Sequence, residues 1–448
     1  MKKIIIAGLT LTVLFLACKK SNDPIKKDPE PSIPKPPIVI LKTADSVIII
    51  DEKLGGMKEA NRLAQSFPAS DFSPTGFYLA PGATMKLMVT SLKGTRMPEL
   101  LIGTYSRNTA RWNPSVRKLN AGVNTITDDI GGILYLRFNN DAPSDQVRIR
   151  FNEGMRPIPY FQLGKTKQDE WLSMLDSIKN VPDVQLVGEK TIITFSLDNA
   201  KKVKDEKMEN LVKKADRVIR IEDSISGLFG TDPIDQPNIH KYLMTESDSP
   251  DYYMAATYFR TWYRSTDAVS AILRTASLTW GPWHELGHMH QQGAWTWSEL
   301  TETTVNIYSM AVEKALGISP TRLTSQGEWS KAATYLAKPD AEKKFNESSV
   351  SVWTRLCMFQ QLKLAFGDEF YHQLHRVARR EMQKPNSTDA KMRWFMVNAS
   401  SISGKNLSSF FKKWGMVLST EALTDAAYTD IEKLGLPMPD QDLTLLKD

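Results

Sequence analysis

The stretch Trp280-Gly281-Pro282-Trp283-His284-Glu285-Leu286-Gly287-His288 constrains this chain more than any other. If the segment is helical, His284 and His288, four apart, project from one face at a separation that can share a metal ion. Imidazole pairs suit zinc, which takes nitrogen and carboxylate ligands in tetrahedral array and keeps one position open for water in catalytic sites. Glu285, next to the first imidazole, is placed to take a proton from such a water. The chain holds six histidines, and three of them fall between 284 and 290. The plainer reading is an amphipathic helix with two half-buried histidines. Gly287 argues for the metal, because glycine costs a helix interior about 1 kcal/mol relative to alanine and so points to a close neighbour.

A third protein ligand is needed. The metzincin pattern would place Gly at 291 and His at 294, but Gln291 and Ala294 stand there, which excludes that class. His290, two residues past His288, points to the opposite side of a helix. Glu299 and Glu302 remain. Residues from Ser298 to Leu316 predict a second helix stopped by Gly317, on which Glu302, Asn306 and Ser309 share a face. Glu302 is the expected ligand, and Glu299 is read as a first-turn residue favoured by the helix dipole. Two histidines and a glutamate from a following helix make the gluzincin arrangement. The expected chemistry is peptide hydrolysis by a zinc-activated water, with Glu285 as general base and then as proton donor to the leaving amine. Tyr308, Tyr253 and Tyr258 are candidate hydrogen-bond donors to the tetrahedral charge. Asn306 is either a residue that orients a ligand or a plain helix-surface amide. Trp280, Trp283, Trp295 and Trp297 crowd the motif, as cavity walls or, for one of them, as a surface for a substrate sugar.

From His284 to Ser309 the sequence HELGHMHQQGAWTWSELTETTVNIYS closely resembles the signature of the enhancin-like metallopeptidases. In that family a Trp-Thr-Trp element and a Glu-x-Thr-x-Asn-x-Tyr-Ser helix follow the zinc motif. The similarity runs from about residue 75 to the C-terminus, through Gly404-Lys405-Asn406-Leu407 and Phe410-Phe411-Lys412-Lys413-Trp414-Gly415. The resemblance implies zinc ligation by His284, His288 and Glu302, catalysis by Glu285, one Zn2+ per chain, and O-glycosylated, mucin-like proteins as substrates.

At the N-terminus, Lys2-Lys3, an apolar run from Ile4 to Leu16 and Ala17-Cys18 resemble a bacterial lipoprotein signal over residues 1–17, too short for a permanent membrane span. The usual lipobox has Leu three before the cysteine and a small residue two before it, where Phe15 and Leu16 stand here. An ordinary secretory signal with an incidental cysteine is the alternative. Lipidation of Cys18 would make a stable anchor, each buried methylene contributing roughly 0.8 kcal/mol. The expected location is therefore a bacterial membrane, the outer membrane by preference, with exposure at the cell surface left open. Residues 18–38, rich in Pro and Lys, read as an extended tether. The second cysteine, Cys357, then has no partner and reads as a small buried hydrophobe. Formal net charge is +6. Lys2 and Lys3 belong to the export signal and residues 19–38 carry five Lys against three acids, so the remainder is near neutral and nucleic-acid binding is not expected. A monomer is expected.

The predicted fold class is α+β and multidomain. Short strand-like runs over residues 39–160, separated by Gly, Pro, Asn and Asp, point to an N-terminal antiparallel β-sandwich. On it Trp112 or Tyr105 could stack on a sugar, although such rings more often pack a core. Residues 161–448 make the metallopeptidase domain: mixed strands and helices to about 275, the zinc-site helices over 281–317, and a mainly helical part over 320–448. The aromatic segment Tyr252 to Tyr263 could line a cleft and pair with extended substrate backbone. His372 and His375, three apart, read as ordinary helix residues, since no carboxylate is spaced to join them as metal ligands. Two further functions remain open on the sequence: an anchored glycan-binding protein with an inactive peptidase domain, and a metal-dependent hydrolase of a non-peptide amide.

Overall fold

Alternating short runs become two antiparallel sheets over residues 47–157 of the computed structural model, which describes residues 46–448. The export signal, the tether and Cys18 lie outside the described residues. One sheet has the order β1-β8-β3-β6, from β1 (Val47–Asp51), β3 (Thr84–Lys93), β6 (Gly122–Thr127) and β8 (Gln146–Glu153). The other has the order β5-β4-β7-β2-β9, from β2 (Ser73–Leu79), β4 (Glu99–Ile102), β5 (Ser115–Lys118), β7 (Gly132–Arg137) and β9 (Arg156–Pro157). A helix, α1 (Gly56–Leu63), follows β1.

The two sheets differ in a way their sequences explain. In β8, Val147, Ile149 and Phe151 are buried while Arg148 and Arg150 are exposed, the mark of a strand with one wet face. In β7, Ile133, Leu134, Tyr135 and Leu136 are all buried. Leu134 and Leu136 enter the sandwich core with Leu79, Leu87 and Ile149, whereas Ile133 and Tyr135 enter a second core with Phe72, Tyr160 and Leu186. The five-stranded sheet is thus covered on both faces, and the sandwich shares a core with the middle of the chain.

The middle of the chain is built on a mixed sheet in the order β10-β11-β12-β13-β15-β14. Its strands are β10 (Tyr160–Gln162), β11 (Asp183–Val187), β12 (Thr191–Ser196), β13 (Tyr242–Ser247), β14 (Met254–Thr257) and β15 (Arg260–Arg264). The aromatic segment is therefore a hairpin, with β14 on the sheet edge. Against the sheet pack α2 (Gln168–Ser177), α3 (Leu197–Lys202) and α4 (Met208–Ile225). Leu211, Val212, Ala215, Val218 and Ile219 of α4 recur at three- and four-residue spacing and are buried, which leaves Lys213, Arg217 and Arg220 to solvent.

The C-terminal part is helical: α5 (Trp280–His288), α6 (Thr301–Ala315), α7 (Arg322–Ser325), α8 (Glu328–Leu336), α9 (Val352–Arg380), α10 (Thr388–Ser403), α11 (Ser408–Lys413) and α12 (Glu421–Lys433). The longest of these helices, α9, is interrupted at Gly367, whose φ of 75° and ψ of −172° leave the helical region. Cys357 is fully buried, as a small hydrophobe. His375, also fully buried, donates from Nδ1 to the Tyr371 carbonyl at 2.6 Å, and its Nε2 lies 2.9 Å from the Tyr308 hydroxyl. Burial presses its pKa down to about 3, with the charges on Arg379, His372 and His290 adding to the effect and the Tyr371 carbonyl opposing it. The native pKa lies below the ordinary value, so the unfolded chain binds the extra proton first. This contribution to stability is complete above pH about 6.5 and falls, by about 1.4 kcal/mol per pH unit, as the pH drops toward 3. His375→Gln is expected to flatten the loss of urea stability between pH 6.5 and 4; an unchanged slope would show that other groups govern it.

Candidate metal centre and cleft

α5 opens with Pro282 at its third residue, where the backbone N–H has no partner inside the helix and its absence costs nothing. α5 and α6 cross closely at Gly287. A Cβ there would lie 2.9 Å from the Val305 carbonyl oxygen and 3.1 Å from its Cγ2, so the close neighbour that the glycine implied is α6. This approach brings Glu302, in the first turn of α6, to the two imidazoles. His284 Nε2 lies 3.0 Å and His288 Nε2 3.7 Å from Glu302 Oε2, and the ligand atoms of the three residues all lie within 4.8 Å of one another. Tetrahedral ligands about 2.0–2.1 Å from zinc stand roughly 3.3 Å apart, so the set fits zinc with one position open. Among the described residues no other group of three His, Cys, Asp or Glu side chains converges in this way.

Each imidazole is oriented through its far nitrogen. His284 Nδ1 donates to Asn306 Oδ1 at 2.9 Å, and that oxygen also accepts from Trp280 Nε1 at 3.1 Å. The Asn306 amide is fixed the right way round because its Nδ2 donates to the Glu302 carbonyl at 2.8 Å. His288 Nδ1 donates to Gln291 Oε1 at 2.7 Å, while Gln291 Nε2 donates to the Thr301 carbonyl and to Thr304 Oγ1. Both Nε2 lone pairs are thereby left facing Glu302. Gln291 had served in the sequence only to exclude metzincins. Its position three residues after His288, on the same face, is the signal that could have found it. Gln291→Ala is expected to weaken zinc binding about 10–100-fold, and Gln291→Glu, which keeps an acceptor, to weaken it less. A zinc competition titration reads the difference, and equal losses would remove the orienting role.

The charges at the centre follow from these contacts. Burial works against a charge on His284, but Glu302 and Asn306 together raise its pKa above the ordinary value. The close approach of the His284 and His288 rings, which favours the carboxylate, holds the Glu302 carboxyl well below the usual range, against its partial burial. Burial raises Glu285 above the ordinary carboxyl value, although the two imidazoles oppose it. Glu285 is 7% exposed and faces the same cavity as the three converging side chains.

That cavity has a volume of about 660 Å³. Met254, Ala255, Ala256 and Thr257 of the edge strand β14 form one wall, with Tyr252 beside them. Part of another wall comes from the sandwich: Ser106, Trp112 and Asn113, in the connection between β4 and β5. Arg260 of β15 ties the two together, donating to Ser106 Oγ at 2.7 Å and Asn113 Oδ1 at 2.9 Å.

Several expected site residues are elsewhere. Tyr308 is fully buried, 2.9 Å from the His290 carbonyl and from His375, so it cannot donate to a reacting group. Trp295 and Trp297 are core residues, their indole N–H groups donating to Gln292 and Asn346. Tyr253 is half exposed under the Arg264 guanidinium and does not line the cavity. Tyr258 packs edge-on against Phe67, which does. Tyr105 is buried in a stack on Phe72, whereas Trp112 reaches the cavity. Glu299 lies one turn before Glu302 and accepts from its neighbour Ser298. His290 is buried between Glu222 and Asp223, and these carboxylates outweigh burial to raise its pKa to about 10.

A helix-borne pair of imidazoles, a carboxylate from the next helix and an edge strand along the cleft define a metallopeptidase. The family model for M60, enhancin and enhancin-like peptidases matches residues 154–415, and that for the N-terminal domain of M60-like peptidases matches residues 56–152; the chain belongs to this family. A functionally unknown conserved protein from Bacillus anthracis superposes with a TM-score of 0.80 at 32% identity, over 90% of this chain and 81% of that one. The catalytic domain of Clostridium perfringens ZmpC, in complex with the sialyl T antigen, has the same fold, with a TM-score of 0.76 at 19% identity over 90% of this chain and 82% of that one. TRPM8 channel-associated factor 3 from Mus musculus is 25% identical over 76% of this chain, which spans 38% of that protein's length.

Proposed function

We propose that this protein is a zinc-dependent endopeptidase that hydrolyses peptide bonds in O-glycosylated, mucin-like proteins, with Glu285 as general base. The observation that carries this reading is the convergence of His284, His288 and Glu302 beside the buried carboxylate of Glu285 at the wall of a cleft. His284, His288 and Glu302 would hold a zinc ion, which would supply a Lewis acid and make the attacking water more acidic. Glu285 accepts the proton of the attacking water on its carboxylate and hands it to the leaving amine. Asn306 and Gln291 hold the imidazoles in the tautomer the site needs. The free edge of β14 offers backbone groups to an extended substrate, which adds to the sheet as a further strand.

Two observations support a glycosylated substrate. Trp112 presents an aromatic ring to the cleft, and a solved relative of the same fold holds the sialyl T antigen. The test is a panel of O-glycopeptides and their bare counterparts, digested with and without a chelator and read by mass spectrometry. Cleavage of glycosylated members alone, lost on chelation and restored by zinc, is the expected result. Equal cleavage of bare peptides would remove the glycan requirement. Release of a small acid with no new peptide N-terminus would replace the peptidase by an amidohydrolase. The same reading has the enzyme anchored to a bacterial membrane through acylated Cys18. This rests on residues 1–18 of the sequence alone, and the mass of the mature N-terminus checks it.

A further inference from the structure

On α4, α6 and α9 lies a groove of about 380 Å³ that shares no residue with the cleft. Its apolar lining comes from Ile221, Ile225, Ala311 and Ala315, and its polar lining is predominantly cationic: Arg217, Arg220, Lys314 and Lys363, with His372. Asp368 is the one carboxylate in the lining. Lys363 is the residue that demands an explanation, because it is only 8% exposed. Among the described residues its ammonium has a single partner, Asp368 Oδ1 at 3.3 Å, and the other oxygen of that carboxylate is taken by Lys314 at 3.0 Å. An ammonium has three donors, and although the Lys363 stem is buried its Nζ is not sealed from solvent, so the donors that Asp368 does not meet open onto the groove. The neighbouring charges do not compensate. Among the described residues Arg217 has only the Ala315 carbonyl, at 3.0 Å, while Arg220 is engaged by Glu189 and His372 by Glu369.

We propose that this groove binds a phosphate group, held by Lys363 and Arg217 with Lys314 at the rim. Phosphate carries several acceptor oxygens on one centre, enough to meet the donors that an ammonium and a guanidinium leave open here, and its charge answers the excess of cations over the single Asp368. The interruption of α9 at Gly367 is what sets Lys363 and Asp368 side by side at the groove. The apolar lining would accept a short hydrocarbon portion, so the phosphate can be free or part of a lipid headgroup.

Calorimetric titration of the full chain with inorganic phosphate, and co-sedimentation with phosphatidylcholine vesicles with and without phosphatidic acid, separate these sources. Saturable binding of either probe is expected. It should weaken at least tenfold in Lys363→Met and in Arg217→Ser, while glycopeptide cleavage stays unchanged, because neither residue lies near the cleft. Binding of inorganic phosphate supports a soluble ligand; binding of phosphatidic acid vesicles alone, with the same loss in the variants, supports a headgroup. Should Lys363→Met fail to fold, the exposed positions in Arg217→Ser and Lys314→Ser carry the test. No saturable binding of either probe, or binding that the folded variants leave intact, overturns the proposal.

Discussion

Glu285→Ala is expected to lose about 10²–10⁴ in kcat/KM on a glycopeptide while still binding one zinc ion per chain. The two effects separate because Glu285 lies outside the converging group of His284, His288 and Glu302 yet faces the same cavity. Its carboxylate makes no hydrogen bond to other described residues, so truncation leaves no buried partner stranded, and folding should be retained. Burial is part of why the residue suits proton transfer. It raises the affinity of Glu285 for a proton, and a carboxylate of ordinary pKa would be a weaker base. Metal content by elemental analysis, beside kinetics on the same preparation, makes the comparison. Turnover near the wild-type rate would remove Glu285 as the base, and loss of zinc together with activity would reassign it to holding the metal.

The parts of this site that could be read from the sequence are those set by local periodicity. Four-residue spacing placed His284 with His288, and Glu302 with Asn306, on shared helix faces, and Gly287 announced the α5–α6 contact before its partner was known. The same arithmetic could have removed Tyr308. Two residues past Asn306, it points about 200° around the helix from it, into the core with His375. Trp295 and Trp297 misled because nearness along the chain is not nearness in space. The connection between α5 and α6 turns both rings into the C-terminal core. The sandwich wall of the cleft had no local signal at all, since Arg260 meets Ser106 across 154 residues. What the sequence did carry was the unbroken apolar run Ile133-Leu134-Tyr135-Leu136. A strand with one wet face alternates, and a run without polar breaks marks a sheet covered on both sides, as β7 is.

Replacing Glu302 and Glu299 in turn should give opposite results, although the two lie only three residues apart. Glu302→Ala is expected to lower zinc affinity by more than the 10–100-fold typical of residues that merely orient a ligand, and to abolish cleavage at limiting zinc. Glu299→Ala should leave both unchanged. Glu299 sits in a short turn before α6, bonded to Ser298, whereas Glu302 Oε2 faces both imidazoles. Glu302 is exposed enough that its loss should not unfold the chain, and thermal unfolding with zinc withheld checks this. With zinc supplied, wild type and Glu299→Ala should gain stability by mass action, while Glu302→Ala should gain little at the same concentration. A zinc-dependent shift that survives in Glu302→Ala and vanishes in Glu299→Ala would move the third ligand one turn back. The meeting of α5 and α6 at Gly287 would then hold Glu302 near the imidazoles for another reason.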